Sequence, residues 1–563
     1  MKLAFRFLAL LLFLCLLTGS FTSCMAFVRF ANSVDELSSD TETESESESD
    51  DDSDLKEPSN TEYPHLTYTL TEADREEFDA LLAHCEELTM EGTNISEIEQ
   101  AWDDLEAQYD HIYTQSNIAY ILYCCDQEDE TLSENYLASS QMQTEVYDSY
   151  IALCQQIDKS TSPYRDTFFE DWTEAEIAEM RAYTSEIADL MQKDDEFLVK
   201  FRELVVETDE DAVELLYFDF VKNKNQIAES LGYDDYYSYA SEFGYLRDYG
   251  AAERATLRQY VKSELVPLCE KAYEMFEKTL SQMNEFQQYR VYDYLLTNYD
   301  ELSKDYVQLY IDSFDAEAKE AMQKLFEDGN ALFVDGWDAY DGAFTVYLQE
   351  YEMPVCYFGP SYQDIFTVVH EMGHYYAAQY LPDDELQLDL AEVHSQGNEW
   401  LMMAFMETQL SEPVYTALTY YQLYYSLANI IVCTIVDEFE EMVYMTVDSN
   451  MSIPLDFDDL IDTICTQYGD SDFVETYITD MNLYWKYVGI EAPVYYISYA
   501  TSGVASLALF SEAKEDYAAA QEIYRKLVED ADCTRGFAEN LKDAGLPSPF
   551  EASAYTAIRE LLP

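Results

Sequence analysis

One five-residue segment constrains this chain more than any other: His370-Glu371-Met372-Gly373-His374. The 563 residues contain only six histidines, His65, His84, His111, His370, His374 and His394. At that frequency an H-x-x-x-H pair arises by chance about 0.06 times per chain, and a Glu in second place lowers this roughly tenfold. The flanks predict a helix. Gly359-Pro360-Ser361 punctuates what precedes, Ser361 with Asp364 forms a capping-box-like start, an apolar run follows, and Leu381-Pro382 stops it. On that helix His370 and His374 lie one turn apart on the same face, so two imidazoles can share one metal ion. Glu371 is placed to reach a water on the ion rather than the ion itself. Gly373 removes a side chain where the hairpin or another helix comes close.

A metal that performs chemistry needs a third protein ligand and an open position. No histidine follows His394, so the ligand is a carboxylate or His394 itself. Ala391-Glu392-Val393-His394-Ser395-Gln396-Gly397-Asn398-Glu399-Trp400, read as a helix, puts Glu392, Ser395 and Glu399 on one face. One of the two carboxylates can bind the metal while the other orients a ligand histidine from behind. Spacing alone leaves open which does which.

The rest of the chain describes the scaffold. Apolar residues are 48% and aromatics 15%, enough for a large core, and fifty Tyr against sixteen Gly point to a Tyr-packed helical interior. Amphipathic helical periodicity runs from about Tyr63 to Asn330. It breaks between Ala331 and Phe358, where the segment from Gly342 holds two β-branched and aromatic runs around a polar centre, the pattern of a small hairpin. Helical periodicity then continues to the C-terminus. The expected fold is all-α with one small sheet in its middle, and no fixed-period repeat is present.

Acidic residues number 114 and basic residues 30, a formal net charge of −84. Such a field repels phosphate backbones, and no basic stripe offsets it, so nucleic acid is excluded as a partner and anionic headgroups are disfavoured. Eleven Cys are scattered without metal-ribbon spacing. The first residues, MKLAFRFLALLLFLCLLTGSFTSC, carry Lys2 and Arg6 and then an apolar run, Phe7 to Leu17, short for a span and normal for a secretory leader. Phe21-Thr22-Ser23-Cys24 resembles a bacterial lipobox, so residues 1–23 read as a lipoprotein-type signal peptide and Cys24 as the lipidated N-terminus. This predicts an exported protein held at the bacterial cell surface by its lipid, or secreted if the leader is simply cleaved. Loss of Cys15 and Cys24 leaves nine Cys, an odd number that points to free, buried thiols. Residues 24–60, rich in Ser, Glu and Asp, cannot bury a core and read as a disordered tether.

HEMGH, followed 25 residues after His374 by Glu399 in an E-x-x-S-x-x-x-E pattern (Glu392, Ser395, Glu399), and preceded by Asp364-Ile365-Phe366-Thr367, resembles the oligoendopeptidase F and thimet oligopeptidase family of zinc metallopeptidases. The resemblance implies one Zn²⁺ held by His370, His374 and Glu399, with Glu371 as general base. It implies a predominantly helical zincin-like fold whose deep substrate channel lies between two helical lobes, with residues 61–200 as an N-terminal helical domain and 201–563 as the catalytic domain. The substrates would be short unstructured peptides cut at internal bonds by a monomer. Pro493-Val494-Tyr495-Tyr496-Ile497-Ser498-Tyr499 is similar to the family's tyrosine-rich loop, implying Tyr499 first and Tyr496 second as donors to the scissile carbonyl. The family's histidine ten to twelve residues before the last Tyr is missing; Tyr487 to Gly489 stands there. Either Tyr487 takes its role or transition-state binding is weaker. Two other readings fit less of the pattern: a surface lipoprotein that binds peptides without hydrolysing them, and a dipeptidyl carboxypeptidase similar to angiotensin-converting enzyme.

Overall fold

A computed structural model describes residues 66–91, 94–170, 172–207, 210–296, 301–381, 387–448, 450–532 and 534–563. The leader, Cys24, the tether and Pro382 lie outside the described residues.

The N-terminal part is built on α1 (Glu72–Glu91), α2 (Ile95–Cys125), α3 (Glu130–Lys159), α4 (Ser185–Glu207) and α5 (Glu210–Leu231), each packed on the next, with two short helices (Arg165–Phe168 and Glu174–Ala182) in the connection between α3 and α4. Tyrosine fills this interior: Tyr109, Tyr113, Tyr136 and Tyr150 are fully buried. Burying a ring this large gains most when its hydroxyl also finds a partner. Tyr136 stacks on Tyr123 at 5.4 Å and donates to Asp195 at 2.8 Å.

The expected hairpin is β2 (Ala343–Leu348) against β3 (Met353–Phe358), antiparallel with Ala343 opposite Phe358. A third strand, β1 (Ala331–Phe333), adds parallel to β3, giving the order β1-β3-β2. Three apolar residues show no alternation, so periodicity could not announce it. Helix α2 covers the sheet: Tyr120 packs on Phe344 at 5.3 Å. Asn117 Nδ2 donates to the Tyr347 carbonyl at 3.0 Å, so the edge of β2 is already engaged there.

The C-terminal part carries α6 (Ile365–Ala377), α7 (Leu388–Met406), α8 (Glu412–Thr446), α9 (Ile497–Glu515) and α10 (Tyr517–Glu529). Helix α7 packs on α6, α9 and α10, and α8 on α9. Among the described residues no helix is long and apolar enough to cross a membrane. The eight described cysteines are all free and seven are buried, as small core residues.

Candidate metal centre

Helix α6 starts at Asp364, whose carboxylate accepts from the Phe366 and Thr367 amides at 3.0 and 3.3 Å and from the Thr367 hydroxyl at 2.6 Å. Asp364 is therefore the cap itself. Ser361, expected to share that role, instead has its amide on Asp341 at 2.8 Å. One turn further, His370 and His374 lie on the same face with ring centroids 5.1 Å apart.

Helices α6 and α7 touch at Gly373. A Cβ there would fall 2.3 Å from the His394 carbonyl oxygen and 2.9 Å from the Ser395 Cα, so only glycine admits this approach. The close helix contact read from the sequence is with α7, not the hairpin. Asn398 reinforces it by donating to the Val369 carbonyl at 2.7 Å.

This crossing assigns places to the carboxylates. Glu392 Oε2 faces both imidazoles, 3.7 Å from His370 Nε2 and 3.8 Å from His374 Nε2. These separations are too wide for hydrogen bonds. They approach the roughly 3.3 Å ligand–ligand edge of a tetrahedral site with bonds near 2.0 Å. Glu399, expected as the third ligand, lies behind instead: its Oε1 meets His370 Nδ1 at 2.8 Å, and Gln422 Nε2 donates to its other oxygen at 3.4 Å. The correction follows from the helices' relative direction, since His374 and His370 run one way along α6 while Glu392 and Glu399 run the other along α7. His394 turns away and bonds the Leu527 carbonyl through Nε2 at 2.7 Å.

Glu371 lies on the sheet side, where the Thr345 hydroxyl donates to its Oε2 at 2.7 Å. Its Oε1 is buried and makes no hydrogen bond, and neither does His370 Nε2. The electrostatics fit a cation. Burial lifts Glu371 to about 7, against the pull of His370 and of the Thr345 hydroxyl. Burial lifts Glu392 to about 7 as well, against His370, Tyr495 and Ser395. His370 would be lowered by burial, but the bond to Glu399 and the fields of Glu371 and Glu392 raise it to about 9. Burial, with His370 beside it, drives His374 well below its ordinary value. Three buried carboxylates beside two imidazoles make a donor set suited to a dication.

No family model and no curated protein matches the sequence. Solved structures do. A chain described as oligoendopeptidase F superposes with a TM-score of 0.70 at 19% identity, over 88% of this chain and 97% of that one. Pz peptidase A with an inhibitor gives 0.68 at 18%, over 86% and 96%. A chain from Bacillus anthracis described as an oligoendopeptidase F gives 0.68 at 18%, over 88% and 96%. This chain has the oligoendopeptidase F fold.

Within that oligoendopeptidase F fold the tyrosine-rich run lies against the candidate ion site. The Tyr495 hydroxyl donates to Glu392 Oε1. The Tyr499 ring packs on Tyr495 at 5.1 Å, and Tyr496 on Tyr499 at 6.0 Å. Tyr499, in the first turn of α9, is therefore one ring from the carboxylate, with Gln396 of α7 reaching its carbonyl at 3.5 Å. The Tyr487 side chain lies outside the described residues. Two functional candidates escaped sequence reasoning. Thr345 carried a weak signal as the polar residue inside an apolar strand; Tyr495, one of fifty tyrosines, carried none.

Proposed function

We propose that this chain is an exported zinc-dependent oligopeptidase that hydrolyses internal bonds of short unstructured peptides. The observation that carries the reading is the buried gap faced by His370 Nε2, His374 Nε2 and Glu392 Oε2, with Glu371 beside it. His370, His374 and Glu392 are the proposed ligands, and Glu399 orients His370. Zinc there supplies Lewis acidity to the scissile carbonyl and acidifies water.

The chain's own residues do the rest. Glu371 accepts the water's proton through Oε1, because Thr345 occupies Oε2, and passes it to the leaving amine. Tyr499 donates to the developing oxyanion, with Tyr496 packed behind it. An extended peptide pairs with β2 before Tyr347, where Asn117 has taken the edge. Export, a lipid on Cys24 and a monomeric state complete the proposal and rest on the sequence.

The test uses quenched fluorescent peptides of graded length with the full chain. Expected is cleavage at internal bonds that chelator stops and zinc restores, and that Glu371→Gln lowers by about 10²–10⁴-fold while zinc still binds. Tight peptide binding without turnover would leave a peptide-binding protein, and release of C-terminal dipeptides alone would make it a dipeptidyl carboxypeptidase.

A further inference from the structure

Glu392 is fully buried and has two oxygens, only one of which faces the histidines. A carboxylate able to turn would present either oxygen, both, or neither. Its surroundings remove that choice. The Tyr495 hydroxyl holds Oε1, and the Ser395 hydroxyl, one turn along α7, donates to Oε2 at 2.9 Å. Oε2 keeps a second lone pair toward the imidazoles, whereas Oε1 is turned to the phenol.

Tyr495 is itself held on every side. Its carbonyl accepts from Arg247 Nη2 at 3.3 Å, and its ring meets Tyr245 edge-on at 5.9 Å. Tyr245 donates to the Pro493 carbonyl at 2.7 Å, two residues before Tyr495. The intervening Val494 has φ of +64°, a left-handed conformation costly for a β-branched residue, and its amide is tied to Glu440 at 2.9 Å. A backbone kept in so disfavoured a state over-determines the direction of the next side chain.

We infer that Tyr495 is a positioning residue for the metal site: through Glu392 Oε1 it fixes which carboxylate oxygen the ion meets. The inference rests on the metal reading above. It divides the tyrosine run by task, Tyr495 serving the ion through Glu392 and Tyr499 serving the substrate.

The experiment measures zinc affinity of the full chain by competition with a chromophoric chelator, for the wild type, Tyr495→Phe, Tyr499→Phe, Tyr245→Phe and His374→Ala. Tyr495→Phe keeps the ring and loses only the donor; zinc binding is expected to weaken about 10- to 100-fold. Tyr499→Phe should leave zinc affinity unchanged while lowering kcat. Tyr245→Phe removes the buried hydroxyl that holds this loop at the Pro493 carbonyl and should weaken zinc binding less than Tyr495→Phe does. Tyr495→His, whose ring nitrogen can donate to the same oxygen, should bind zinc more tightly than Tyr495→Phe and serves if the latter does not fold. Unaltered affinity in Tyr495→Phe overturns the inference, and so does an equal loss in Tyr245→Phe, which would mean general loosening of the loop. If the wild type binds no more zinc than His374→Ala, the metal reading itself fails and takes this inference with it.

Discussion

Helix α7 buries carboxylates in two settings barely a turn apart. Asp389 faces Arg247 Nε at 3.3 Å and accepts from Tyr249 at 2.8 Å and from Thr501, closing a network that ties the chain before α6 to α9. Further along the same helix Glu392 faces two imidazoles and accepts from two hydroxyls, and Glu399 meets an imidazole and an amide. Away from the site the first solution recurs: Asp437 and Glu441 of α8 share Arg258, at 2.5 Å each. A third solution is found at Glu179 (helix Glu174–Ala182), which accepts from the Tyr239 hydroxyl at 2.8 Å and is pushed by burial to about 8, so it keeps its proton. A buried carboxylate needs a compensating partner. In these structural cases the partner is a guanidinium or a proton; at the candidate centre it is a pair of imidazoles.

That contrast can be broken by measurement. Arg247→Met strands Asp389 in the core, and the thermal or urea unfolding free energy should drop by about 3–5 kcal/mol, the usual cost of breaking a buried pair. A comparable effect is expected from Glu179→Gln, and it depends on pH. Glu179 is about 8 when folded and 4.5 when exposed, so the folded chain holds a proton that the unfolded chain has released between these values. Its contribution is therefore fully present below pH 4.5 and is lost as pH rises toward 8. Melting temperatures of wild type and Glu179→Gln should coincide near pH 4 and diverge by pH 8, with the variant higher; parallel curves would mean Glu179 is already ionised in the fold. The smallest change is expected for Glu392→Gln in metal-free protein at pH 8. Burial lifts Glu392 to about 7, so the same linkage acts over a narrower window, and Glu392→Gln should raise the unfolding free energy at pH 8 by less than Glu179→Gln does. A loss as large as that of Arg247→Met would make Glu392 a structural residue.

Much of the centre was legible because its signals are local. HEMGH needs only helical periodicity to align His370 with His374, and Gly373 advertised a contact that the His394 carbonyl supplies. The choice between Glu392 and Glu399 was not local: both share a face of α7, and the direction in which α7 crosses α6 decides which one meets Nε2. Family spacing pointed to Glu399, and the crossing puts Glu392 there. Ser361 and Asp364 illustrate the same limit on a small scale, since either can cap by type and only the turn geometry selects Asp364. The helical scaffold and the β2–β3 hairpin were readable from period, whereas β1 exists only because β3 offers it an edge. Tyr495 was hidden by abundance: with fifty phenols, sequence does not say which hydroxyl matters.

The contact at Gly373 also has a mechanical meaning. With no clearance there the two helices cannot slide past one another, and the Asn398 bond to the Val369 carbonyl pins them again a turn away. His370 and His374 on one rod and Glu392 on the other therefore keep their mutual spacing as a single rigid body.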